Sequence, residues 1–103
     1  MRQFEVYANP SERSRAFAPY VVILQSHLLS AMPTAIVAPL LIDDGKSAYS
    51  QISVAIAFLG EDYIVSVGEL AAIDVRYLRS PAGDLGEHED AIRRALDRLL
   101  TGF

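Results

Sequence analysis

The sequence predicts a mainly β, single-domain protein finished by one C-terminal α-helix, and three observations carry that reading. Apolar residues recur with period two, or in short β-branched runs, between residues 3 and 79. Gly, Pro, Asn and Asp separate those runs at short intervals, as turns require. From about Glu87 the period becomes helical, with Ile92, Ala95, Leu96, Leu99 and Phe103 on one face.

Taken in order, Gln3-Phe4-Glu5-Val6-Tyr7 alternates polar and apolar and reads as a half-buried strand. Residues 9–15 form a polar, turn-rich loop. Tyr20-Val21-Val22-Ile23-Leu24 is a continuous apolar run, expected in a central strand. A connection over residues 27–33 leads into a strand at Ala35-Ile36-Val37-Ala38. Asp43-Asp44-Gly45-Lys46 is a turn in which Gly45 can take positive φ. Residues 52–58 and 63–67 are expected to pair as a hairpin around Gly60-Glu61-Asp62. Residues 68–72 form an irregular or helical turn, and residues 74–79 alternate as a further strand. Ser80-Pro81-Ala82-Gly83-Asp84 is expected to break the sheet. In the helix, acidic Glu87, Glu89 and Asp90 complement the dipole of the first turn. Glu89–Arg93 and Asp90–Arg94 are spaced as i, i+4 pairs, and Gly102 is a stop signal.

One domain spans residues 1–103, too few for two separate cores. The chain is 51% apolar with a mean hydropathy of +0.23. A domain this small cannot bury so much apolar surface, so an exposed patch or a homodimer interface is expected. Net charge is −4, with the acidic excess in residues 47–103. No Lys/Arg cluster is present, and direct DNA binding is disfavoured because phosphate neutralisation supplies most of such affinity. A protein partner fits better. The absence of cysteine excludes disulfides and thiolate chemistry and fits the cytoplasm. The N-terminus lacks a signal-peptide apolar block, so no leader is expected. Residues 16–42 contain no Asp, Glu, Lys or Arg, yet Gln25, Ser26, His27, Pro33 and Pro39 interrupt them. Two strands separated by a turn are expected there instead of a membrane helix.

Catalytic and metal chemistry find little support. His88-Glu89 opens like the zinc motif H-E-x-x-H, but Ile92 stands where the second ligand is needed. His27 has Ser26 and Ser30 nearby without triad geometry, and the acidic pairs Asp43-Asp44 and Glu61-Asp62 read as solvated turns. No phosphate loop is present, and no cofactor or metal is expected. A nuclease would need a compact acid–base cluster, which two histidines far apart in sequence do not provide. The expectation is a protein that is not an enzyme.

More informative is the helix end, where Leu99, Leu100, Thr101, Gly102 and Phe103 put apolar groups at a terminus that is usually polar. Leu100 is rotated about 100° from the core face. These residues either fold back on the sheet or contact a partner.

The chain resembles the CcdB toxin family along its whole length. The resemblance rests on Gln3-Phe4-Glu5-Val6-Tyr7, on Gln25-Ser26 followed by Leu28-Leu29, and on Val37-Ala38-Pro39-Leu40. It continues through Gly60-Glu61-Asp62-Tyr63, His88-Glu89-Asp90-Ala91-Ile92, Ala95-Leu96 and the final Gly102-hydrophobic pair. It implies a homodimeric, SH3-like antiparallel β-barrel with a C-terminal helix, acting as the toxin of a toxin–antitoxin pair. The family binds the GyrA subunit of DNA gyrase and traps its cleavage complex. A CcdA-like antitoxin folds over the toxin and covers that surface. Carried over residue by residue, the gyrase-binding positions are Leu28, Leu29, Asp97, Leu100, Thr101, Gly102 and Phe103. Thr101-Gly102-Phe103 stands where the family has Trp-Gly-Ile, and Asp97 stands for its helix Asn. Threonine supplies far less contact area than tryptophan. The alternative implied is a dimeric relative that binds an antitoxin without poisoning gyrase.

Overall fold

Period-two patterning produces seven strands, which the computed structural model places as β1 (Glu5–Ala8), β2 (Tyr20–Ile23), β3 (Thr34–Ile42), β4 (Ser53–Phe58), β5 (Glu61–Ser66), β6 (Ala71–Asp74) and β7 (Gly83–Asp84). Helix α1 (Glu89–Thr101) follows. Residues 1–45 and 50–102 are described; Lys46 of the expected turn and Phe103 lie outside them. All pairings are antiparallel, in the order β4-β5-β3-β2-β1-β7, with β6 also on β3. The sheet curls into an open half-barrel instead of closing.

Both faces of the sheet are buried near its centre, which explains the unbroken apolar run of β2. Val22 joins Val6, Ala38, Leu40 and Val65 on one face, beneath Leu85, Ile92 and Ala95. Val21 and Ile23 point the other way, against Tyr7, Ala35, Val37 and Leu78. At one end of the first core, Tyr20 packs edge-on against Phe58 and Tyr63, at centroid distances of 5.3 and 5.8 Å. Residues 16–42 thus hold β2, a turn and all of β3; among the described residues no helix is long and apolar enough to cross a membrane.

Four local departures from the sequence reading have physical causes. First, β3 runs on past Ala38, through Pro39 to Ile42. The Ile36 carbonyl accepts the Leu24 N–H at 2.9 Å, so alternate residues from Ile36 face β2 with their backbone groups. Pro39 falls in the other set. Its missing donor points at the gap where β6 pairing ends at Val37 and β5 pairing begins at Leu40, so no ladder bond is lost.

Second, the strand expected over residues 74–79 stops at Asp74. The Asp74 carboxylate accepts the Arg76 N–H at 2.9 Å and caps a 3₁₀ turn, Val75–Tyr77. It also takes hydrogen bonds from the Arg76 guanidinium, the nearest at 2.8 Å, and these hold its pKa below the usual value.

Third, residues 80–84 do not simply break the sheet, because Gly83 and Asp84 pair with Val6 and Glu5. Glycine is needed there: a Cβ on residue 83 would stand 2.8 Å from Phe58 Cε1.

Fourth, the hairpin turn is Leu59-Gly60, not Gly60-Glu61-Asp62, and Phe58 pairs with Glu61. Both turn residues have positive φ, 52° and 82°. That is the type I′ pattern, which favours Asn-Gly and strains leucine. Leu59 is exposed and gains little from burial. Leu59→Asn is therefore expected to stabilise the fold by about 0.5–1 kcal/mol in urea unfolding; an unchanged or lower midpoint would show that the turn carries no such strain.

Candidate functional site

Helix α1 begins after a 3₁₀ turn, Gly86–His88, two residues later than its acidic run suggests. Its first half is tied to the sheet. Arg93 donates to Glu89 at 2.9 Å and to Gln3 Oε1 at 3.3 Å, and lies over the Phe4 ring at 5.6 Å. The second expected pair, Asp90–Arg94, is not formed. Ile92 and Ala95 are each 1% exposed, and Leu96 is partly buried against the same core.

Burial then fades along the helix. Leu99 is already exposed although it continues the core face, and Leu100 is 71% exposed. Neither folds back onto the sheet. Arg98 Nη1 donates to the Gln51 carbonyl at 3.2 Å, which anchors the last turn beside β4. Gly102 adopts φ 82° and its N–H bonds the Arg98 carbonyl at 2.9 Å, a left-handed cap. The Thr101 hydroxyl donates to the Asp97 carbonyl at 2.7 Å, so its polar end is spent on the helix itself. Asp97 is exposed on the same turn.

Leu28 and Leu29 form a second exposed apolar site, 85% and 50% accessible, with Met32 beside them in sequence and also exposed. They ride on a 3₁₀ turn, His27–Leu29, whose start is capped by Ser26 Oγ accepting the Leu28 N–H at 3.2 Å. Gln25 holds the turn from inside: its Nε2 donates to the Leu29 and Thr34 carbonyls, and its Oε1 accepts the Ile36 N–H, each at 3.3 Å. Sequence reasoning assigned no role to Gln25 or Met32. A glutamine beside a run of exposed apolar residues was the available signal.

These two apolar sites are not merged in one chain. His27 lines a cleft of about 370 Å³ with Gln3, Phe4, Glu89 and Arg93, beside the first half of α1. Leu100 lies seven residues beyond Arg93, about 10 Å further along the axis. A partner that contacts both must reach along the helix. Phe103 lies outside the described residues.

Several of the residues weighed for catalysis in the sequence have contacts of their own in the fold. Ile92 is core, His88 sits 3.6 Å from exposed Glu87, and Ser26 serves as a cap. His27 does face acidic residues across its cleft. Of these, Glu89 is paired with Arg93, Glu5 accepts from the Arg2 N–H and the Tyr7 hydroxyl, and Asp84 accepts the Gly86 N–H. Among the described residues, no group of three or more metal-ligating side chains comes together.

Comparison with known proteins decides the family. The family model of the CcdB protein matches residues 3–102. The chain belongs to the CcdB family. No curated protein matches it in sequence. Among solved structures, this CcdB-family chain is similar to Mycobacterium tuberculosis toxin MazF-mt6, with TM-score 0.72 and 19% identity, covering 96% of both chains. It is also similar to an endoribonuclease in complex with its cognate antitoxin from Mycobacterial species, with TM-score 0.76 and 12% identity over 97% of this chain and 94% of that one. A structure described as an Mtb toxin gives TM-score 0.68 and 21% identity over 78% of this chain and 90% of the other. At such identities the likeness is one of fold.

Proposed function

We propose that this CcdB-family chain is the toxin of a type II toxin–antitoxin module, and that it binds the GyrA subunit of DNA gyrase and traps the cleavage complex. It acts by binding, without catalysis, as a cytoplasmic homodimer. The observation that carries the reading is the exposed apolar end of α1, with Leu100 71% accessible on a turn anchored by Arg98 and Gly102. An apolar side chain held out on a rigid helix costs little entropy to dock. Leu100, with Leu28 and Leu29 as the second contact, takes the place of the missing tryptophan. Thr101 and Gly102 extend the same surface, and Asp97 borders it. A CcdA-like antitoxin covers this surface in the resting module.

A second reading rests on Thr101, whose hydroxyl is turned back to Asp97 and whose small side chain offers little area. In that reading the chain is a retargeted or non-toxic dimer that binds its antitoxin and leaves gyrase alone. Expression of the chain separates the two. The gyrase reading expects growth arrest with gyrase-dependent DNA breaks, relieved by co-expression of the small protein encoded upstream. High-level expression with growth and supercoiling untouched overturns it.

A further inference from the structure

The alternating segment at residues 74–79 contributes nothing to the proposed gyrase surface, and only Val75 and Leu78 of it pack into the core. Leu78 is extended, at φ −96° and ψ 106°, and its side chain is buried in the second core. Its neighbours Tyr77, the last residue of the 3₁₀ turn, and Arg79 are both exposed, on the same patch of surface. There they line, with Ala8, Asn9, Pro10, Arg15 and Ser80, a cleft of about 500 Å³.

Three properties of this cleft point to a ligand class. Its two charged lining residues are arginines, in a chain of net charge −4. Arg15 is held in place: its Nε donates to the Asn9 carbonyl at 2.7 Å and its Nη2 to the Pro10 carbonyl at 3.4 Å. A guanidinium has five N–H groups, so about three remain for a ligand. The loop behind it is rigid, because buried Asn9 bonds Ser14 Oγ, the Ala18 carbonyl and the Ser11 N–H. Arg79 makes no hydrogen bond or ion pair among the described residues, whereas nearby Arg76 is neutralised by Asp74. Finally, Tyr77 presents an aromatic ring that is 61% exposed.

We infer that this cleft binds a nucleoside phosphate, its phosphate held by Arg15 and Arg79 and its base stacked on Tyr77. Guanidinium forks match phosphate oxygens, and base stacking on tyrosine is indifferent to sequence. The volume exceeds what an inorganic anion fills. The acidic remainder of the chain repels a long polyanion, which restricts the ligand to a free nucleotide or a short single strand.

Titration of the full chain by calorimetry tests this, with AMP, adenosine, inorganic phosphate and a single-stranded hexaadenylate as probes. AMP is expected to bind saturably, at least about tenfold tighter than adenosine or phosphate alone. Arg79→Ala and Tyr77→Ala are each expected to weaken AMP by about tenfold, while Tyr77→Phe keeps the ring and stays within about twofold. Both positions are exposed, and circular dichroism checks that the variants fold. Tighter binding of the hexaadenylate than of AMP identifies a single strand as the source of the ligand; equal binding identifies the free nucleotide. The inference is overturned if AMP does not saturate by about 10 mM. It is equally overturned if AMP binds no better than phosphate, or if Arg79→Ala leaves AMP affinity unchanged.

Discussion

Replacing Ile92 with alanine is expected to remove about 2–5 kcal/mol of folding stability, a large part of the roughly 5–15 kcal/mol that holds a domain together. Ile92 is 1% exposed and belongs to the core formed with Phe4, Val6, Leu85 and Ala95. The helix has 13 residues and would be marginal by itself in water. Its retention therefore depends on docking, and Ile92 is its largest fully buried side chain. Alanine is the better helix former, so intrinsic propensity works against the loss and cannot account for it. Urea unfolding measures the effect through the midpoint at unchanged slope. A loss below about 1 kcal/mol would mean that the helix is held mainly by Arg93 and Arg98.

Eight residues on, substitution of Leu100 by arginine is expected to do the reverse. Stability should stay within about 0.5 kcal/mol, because the side chain is already in water and its removal leaves no cavity. Affinity for the partner should fall by at least about 30-fold, the cost of a lost central apolar anchor plus a charge placed against an apolar surface. Calorimetry or surface plasmon resonance reads the affinity, and thermal unfolding reads the stability. A variant that binds normally removes Leu100 from the interface; one that unfolds shows that the last turn belongs to the core.

The contrast between Ile92 and Leu100 also marks what the residues alone could tell. The helix was legible because Ile92, Ala95 and Leu96 repeat at helical spacing and their burial depends on that spacing alone. Leu99 sits at the same spacing yet lies exposed, since burial there depends on how far the sheet extends beneath the helix. Strands with clean alternation were visible for the same reason. What stayed hidden was set by neighbours distant in sequence or by backbone geometry. Pro39 is tolerated because of a gap between β6 and β5, and in β7 a side chain at Gly83 would crowd the Phe58 ring. Asp74 ends a strand that its alternation would continue, through a bond to Arg76 N–H that competes with the ladder.

The candidate site shows the same division. Apolar residues at the helix end were visible as out of place, whereas the Leu28-Leu29 pair entered only through the family resemblance. Their separation along α1 was not visible, because it follows from where the His27–Leu29 turn meets the helix. The Arg15–Tyr77–Arg79 cleft joins a loop after β1 to a turn after β6, and only the folded sheet brings those segments together.

The central claim is that the exposed end of α1 engages GyrA. Gyrase, a supercoiled plasmid and the purified chain, assayed for cleaved DNA alongside GyrA binding, test it most directly. The account predicts a stable complex with GyrA and accumulation of linear plasmid, both lost with Leu100→Arg. Absence of any GyrA complex under conditions where the antitoxin binds, or equal binding by wild type and Leu100→Arg, would contradict it.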